Sequence, residues 1–166
     1  MGFFDDEANV DQYESMVEDC DGQEIIDRLK QFLPSGATLL ELGMGPGKDL
    51  DLLAETFDVT GSDSSKIFLD RYRARNPEIE LLRLNAETLE TDRAFDGIFS
   101  NKVLQHLTKD QARRSLGNQA RLLNPGGIAF HTLWYGDKVE TYEGLLFVQY
   151  TEESFAELLG EDFELL

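Results

Sequence analysis

The chain has a single cysteine, Cys20, among its 166 residues. One thiol cannot close an internal disulfide, so a bridged secreted scaffold is excluded and a reducing compartment fits. Long apolar runs are also missing, and none approaches the roughly 20 residues that span a bilayer. Met1 to Val10 carries acids where a signal peptide carries bases, and lacks its apolar stretch. These absences predict a soluble, cytoplasmic protein. Bases are absent from both ends. Residues 1–27 hold ten acids and residues 139–166 hold eight, with no Lys or Arg in either, whereas residues 28–138 hold fifteen of each sign. The net charge of −18 therefore belongs to the two ends. Fields of that sign repel phosphate backbones and anionic membranes, so neither nucleic acid nor a membrane is an expected partner. What is present is ordinary. A hydrophobic fraction of 41% supplies one core, and the length suits a single domain.

Hydrophobic periodicity divides the chain into alternating elements. Val10, Tyr13, Met16 and Val17 predict a helix over 7–18, and Ile25, Ile26, Leu29, Phe32 and Leu33 a second one opened by Asp21 and stopped at Pro34. Strands are predicted over 37–42, 57–62, 79–84, 95–100 and 128–133. Helices lie between them, over 49–56, 65–75 and from Thr108 to the turn Asn124-Pro125-Gly126-Gly127. Thr151 and Ser154 open a last helix to Leu159, and Phe163 to Leu166 reads as the start of a sixth strand. Alternating strands and helices imply an α/β, doubly wound, mostly parallel sheet with helices on both faces. Breaking off inside an apolar strand, the chain reads either as lacking the final edge strand or as a fragment of a longer protein. Its expected divisions are a helical cap over 1–35, a ligand-binding core over 37–133, an insertion over 134–150 and the last helix and strand start over 151–166.

Ligands of such sheets bind at the carboxyl ends of the strands. There the first strand runs into Glu41-Leu42-Gly43-Met44-Gly45-Pro46-Gly47-Lys48-Asp49. A P-loop is excluded, because Leu42 stands where its first glycine belongs and Asp49 replaces the magnesium-binding hydroxyl. The dinucleotide fingerprint fits poorly, since the third glycine comes one residue early and Pro46 removes a donor. Twenty residues beyond Gly43, Asp63 ends the second strand, the place from which a carboxylate binds ribose hydroxyls.

The pattern Glu41-x-Gly43-x-Gly45-x-Gly47 resembles the first motif of class I S-adenosylmethionine-dependent methyltransferases. Four further tracts match in order: Thr60 to Ser65, Leu82 to Glu87 (with Asn85 where that family usually has Asp), Phe95 to Leu107, and Leu122 to Gly127. The resemblance implies S-adenosylmethionine as cofactor and a Rossmann-like methyltransferase fold. It assigns Gly43, Gly45 and Gly47 to the cofactor loop, Glu41 to the methionine amino end, Asp63 to the ribose, and Ser64, Asn85 and Ala86 to the adenine. Ser100 and Asn101 fall near the reacting atoms, and Tyr13 lies on a helix that could close over the cofactor. Lys48 is expected in solvent, and His106 and His131 are read as packing residues. No side chain is assigned to catalysis, because displacement from a sulfonium needs alignment more than a base. No metal is expected.

The expected activity is methyl transfer to an unidentified small-molecule or protein acceptor, with a neutral or cationic one favoured by the charge. Trp134, Tyr135, Tyr142, Phe147 and Tyr150 of the insertion are candidate walls of the acceptor pocket. The alternatives are a non-catalytic cofactor-binding or partner module and, third, a nicotinamide-dinucleotide-binding protein.

Overall fold

A computed structural model describes residues 2–166. Five strands form a parallel sheet: β1 (Thr38–Leu42), β2 (Asp58–Asp63), β3 (Leu81–Arg83), β4 (Phe95–Asn101) and β5 (Leu123–Thr132), in the order β3-β2-β1-β4-β5. The chain builds outward from β1 to β3, then crosses to β4 on the other side, so the crevice beside β1 and β4 is the switch point where such sheets hold ligands. Six helices accompany them: α1 (Glu7–Met16), α2 (Gln23–Leu29), α3 (Lys48–Ala54), α4 (Lys66–Arg75), α5 (Lys109–Leu122) and α6 (Glu152–Ala156). The fold is thus the expected doubly wound α/β class.

Side-chain alternation along the strands explains the two-faced core. Leu39 and Phe99 point to the face covered by Ile26 and Leu29 of α2, Leu50 and Leu53 of α3, and Tyr72 of α4. Their neighbours Leu40 and Ile98 point the other way, to Leu89, Phe95 and Leu122. Ile128 and Phe130 are only half-buried, because β5 is the edge strand of the sheet among the described residues. A third cluster ties α5 to the end of the chain through Leu104, Leu116, Val148, Tyr150 and Leu158.

Several boundaries differ from the sequence reading. Asp21 is not an N-cap; Gly22 occupies that position, and Asp21 instead accepts from the Gln23 N–H at 3.2 Å. The Asn124–Gly127 turn lies inside β5, whose pairing with β4 starts at Leu123 and shifts register between Phe95 and Gly97. The tract after β5 is ordered, as an antiparallel hairpin of β6 (Val139–Tyr142) and β7 (Leu145–Val148). Phe163 to Leu166 is not a strand. Instead the tail runs beside β5, where Phe163 packs on the third cluster while Leu165 and Leu166 stay exposed. No helix among the described residues is long and apolar enough to cross a membrane.

Candidate functional site

A cavity of about 410 Å³ opens at the carboxyl ends of β1, β2 and β4. Its floor begins at the glycine loop. Gly43 and Gly45 have φ of +65° and +50°, a backbone region that side chains rarely tolerate. A Cβ on Gly43 would also lie 2.7 Å from a methyl of Val103, so the loop can pack against the segment after β4 only as glycine. Asp63, 8% exposed, fixes this loop from below: one carboxylate oxygen accepts from the Gly45 N–H at 2.9 Å and the other from the Ser65 N–H at 2.8 Å. Burial pushes its pKa up, against those two donors.

Glu41 ends β1 beneath the same loop and is 2% exposed. Its Oε2 is sealed from solvent and has no hydrogen-bond partner among the described residues. Burial, followed by the charges of Asp49, Asp63 and Asp51, holds its pKa well above the usual carboxylate range. An acceptor left bare in such surroundings is costly unless a donor arrives from outside the chain.

The remaining candidates separate into two groups. Tyr13, Gly43, Gly45, Asp63, Ser64, Asn85, Ala86 and Asn101 line the cavity together. Glu41, Gly47 and Ser100 do not line it. Gly47 caps α3 and packs on the Tyr72 ring. The fully buried Ser100 donates from Oγ to His131 Nδ1 at 2.8 Å, and His131 Nε2 donates to Gln119 Oε1 at 2.8 Å. Gln119 reaches Ser115 at 3.1 Å, and Ser115 donates to the Ala86 carbonyl at 2.6 Å. A buried relay of hydrogen bonds therefore joins the end of β4 to the Ala86 edge of the cavity. Burial pushes the His131 pKa down to about 4, which keeps the ring neutral in this role.

Asn85 uses its side-chain oxygen to accept from the Glu87 N–H at 2.8 Å, leaving its amide nitrogen as a free donor. Asn101 is held at both ends, donating to Asp49 at 2.9 Å and accepting from Thr132 at 2.6 Å. Lys48 is not in solvent. Its ammonium donates to the carbonyls of Val17, at 2.9 Å, and Glu18, fastening the chain just past α1 to the start of α3. Tyr13 packs edge-on against Phe4 and Phe68, with centroids at 5.2 and 6.0 Å. Its phenol pKa is raised, first by burial and then by Asp63 and Asp49.

Sequence reasoning missed part of the wall. Phe3, Phe4 and Asp5 line it from the N-terminus, Arg83 and Lys102 supply its cations, and His106 and Leu145 close the far side. The acidic run around Phe3-Phe4 hid the first group, and Lys102, although inside the Phe95 to Leu107 tract, was given no role. Lys102 is marked only by the structure, where it adopts φ of +59°. The aromatic residues of the insertion do not form the wall. Tyr150 is 3% exposed, Tyr135 and Tyr142 face outward, and Phe147 stacks on Trp134 at 5.0 Å.

Residues 39–127 match the family of methyltransferase domains. The chain belongs to that family. Within it, the chain is 39% identical over 92 residues to a trans-aconitate 2-methyltransferase of Methylobacterium radiotolerans, a match covering 54% of this chain and 35% of that protein. The chain spans about a third of the length of the curated relatives it matches. Among solved structures, a chain of the complex between the Haloferax volcanii Trm112 methyltransferase activator and the putative methyltransferase superposes with a TM-score of 0.77. That pair shares 21% identity and covers 96% of this chain and 75% of the other. Phosphoethanolamine N-methyltransferase 2 of Haemonchus contortus, solved with S-adenosyl-L-methionine, superposes with a TM-score of 0.76 at 19% identity, covering 98% and 44%. These two likenesses establish the Rossmann-like methyltransferase fold.

Proposed function

We propose that this chain binds S-adenosylmethionine in the cavity at the glycine loop and transfers its methyl group to a small-molecule or protein acceptor. The glycine loop, held by Asp63 at the wall of that cavity, carries the reading. The cradle fits in other respects. Two glycines bring bare backbone to the cavity, Asp63 keeps a free lone pair on each oxygen for ribose hydroxyls, and the Asn85 amide faces the same space as Ser64 and Ala86.

When bound, the cofactor supplies an activated methyl group, and displacement at that carbon requires alignment of the nucleophile with the departing sulfur. This chain's residues provide the alignment. Asn101, clamped by Asp49 and Thr132, holds the end of β4 in a fixed position. The Ser100–His131–Gln119 relay holds the strand behind it. Phe4, Tyr13 and Phe68 cover one side of the cavity and exclude water.

The acceptor is assigned as neutral or cationic. Both acid-rich ends reach the cavity, through Asp5 and Tyr13 from the first and Leu145 from the last, so their field lies at its mouth. A second reading follows from Lys102 and Arg83, the two cations of the wall, which would suit a carboxylate. The name of the Methylobacterium relative points the same way. Calorimetry with S-adenosylmethionine and S-adenosylhomocysteine, followed by an acceptor screen with methyl-labelled donor, tests the reading. Amines, hydroxyl compounds, trans-aconitate and RNA belong in that screen. Exclusive methylation of trans-aconitate or RNA would refute the neutral-or-cationic assignment.

A further inference from the structure

His106 sits in a short helical turn, Leu104–His106, directly after the segment that packs on the glycine loop. Its Nδ1 lies 2.7 Å from the carbonyl of Leu146 in the hairpin. A carbonyl only accepts, so the proton of the neutral ring is on Nδ1 and Nε2 carries a bare lone pair. The ring cannot easily turn. Phe147 meets it edge-on at 4.9 Å and is itself stacked on Trp134. Among the described residues Nε2 has no hydrogen-bond partner, and it is not one of the sealed unpartnered atoms, which are Glu41 Oε2 and the Tyr150 hydroxyl. The ring lines the cavity, whose charged groups are Asp5, Asp63, Arg83 and Lys102, while the hairpin packed on it brings the uncharged Leu145, Leu146 and Phe147. Tying the hairpin to the turn needs only Nδ1. The other nitrogen is left over, oriented and accessible, in contrast to His131, both of whose nitrogens are used internally.

We propose that His106 is the proton acceptor of this site, and that the methyl acceptor is therefore a protic nucleophile, an O–H or N–H group, rather than a carboxylate. The inference rests on the methyl-transfer reading above. The acceptor's lone pair forms the bond to the methyl carbon, and the carbon–sulfur pair stays on sulfur, which becomes a neutral thioether. The proton lost from the O–H or N–H passes to Nε2, and the resulting imidazolium keeps its Nδ1–H on Leu146 before releasing the new proton to water. Burial lowers the ring's pKa from its ordinary value, partly offset by the bond to Leu146, so the ring starts neutral at pH 7.

Nitrogen NMR of the protein with ¹⁵N-labelled histidine tests this without knowledge of the acceptor. The His106→Asn variant, whose amide can still donate to Leu146, assigns the signal by its loss. The expected result in the free protein is the Nδ1–H tautomer at pH 7 with a protonation midpoint below that of free histidine. The midpoint is then compared between complexes with S-adenosylhomocysteine, which is neutral at sulfur, and sinefungin, which places an ammonium at the equivalent position. Facing the reacting atoms, His106 should titrate roughly half a unit or more lower in the sinefungin complex. An Nε2–H tautomer, or the same midpoint in both complexes, overturns the proposal alone. Failure of both compounds to bind, read by calorimetry, overturns the methyl-transfer reading and this proposal with it.

Discussion

Replacing Glu41 by Gln should stabilise the protein. The wild-type carboxylate is almost wholly buried, its Oε2 has no donor, and three further acids raise its pKa. An unfolded glutamate titrates near about 4.3, and each unit of upward shift is worth about 1.4 kcal/mol. The penalty at pH 7 has a ceiling, because the group can always protonate. Across the roughly 2.7 units between those values the ceiling is about 4 kcal/mol. Part of this burden persists in Gln, whose amide also lacks partners, so a gain of about 1–3 kcal/mol is expected. For a domain of this size that raises Tm by roughly 3–10 °C. The sign with pH is fixed as well. The folded pKa is raised, so the penalty is absent below about pH 4.3 and grows as pH rises toward the folded value. Scanning calorimetry of both proteins between pH 4 and 7.5 should show curves that converge on the acid side and separate toward neutrality. A variant no more stable at pH 7, or an advantage that grows as pH falls, would refute the argument.

Gly45→Val places a β-branched side chain at φ of +50° facing the cavity, and calorimetry should detect no S-adenosylhomocysteine binding while circular dichroism shows the fold retained. Asp63→Ala leaves the Gly45 and Ser65 N–H groups unpaired and removes the proposed ribose acceptor; affinity should fall by about 1–3 kcal/mol in the same assay. His131→Leu should destabilise the fold by about 2–4 kcal/mol in urea titration, since it orphans Ser100 and Gln119. The His131 pKa is depressed, so its contribution is complete above the unfolded value near about 6.5 and is lost as pH falls through about 4. The variant should accordingly lose less stability than wild type over that window.

The alternation of strands and helices and the cavity's central residues were legible because they depend on local pattern. Leu39 and Leu40 alternate across the sheet as period two requires, and the glycine loop with Asp63 twenty residues on has few structural uses other than a ligand cradle. Errors arose where a long-range contact decides. Lys48 reads as a solvent lysine until the chain just past α1 brings the Val17 and Glu18 carbonyls beside it. Ser100 lies in a site motif, yet a buried histidine one strand away claims its hydroxyl. The insertion's aromatics suggested a pocket wall, but they pack on one another and on His106, leaving Leu145 as its contribution to the cavity. Phe163 to Leu166 carries strand propensity without a partner to pair with, and packing beside β5 prevails.

The cavity at Gly43, Gly45 and Asp63 is proposed to receive S-adenosylmethionine. Isothermal titration calorimetry of the protein with S-adenosylhomocysteine, S-adenosylmethionine and NAD decides this. The expected result is one site for each of the first two, lost in Gly45→Val, and no heat with NAD. Binding of NAD in their place, or binding of S-adenosylhomocysteine that Gly45→Val leaves unchanged, would contradict it.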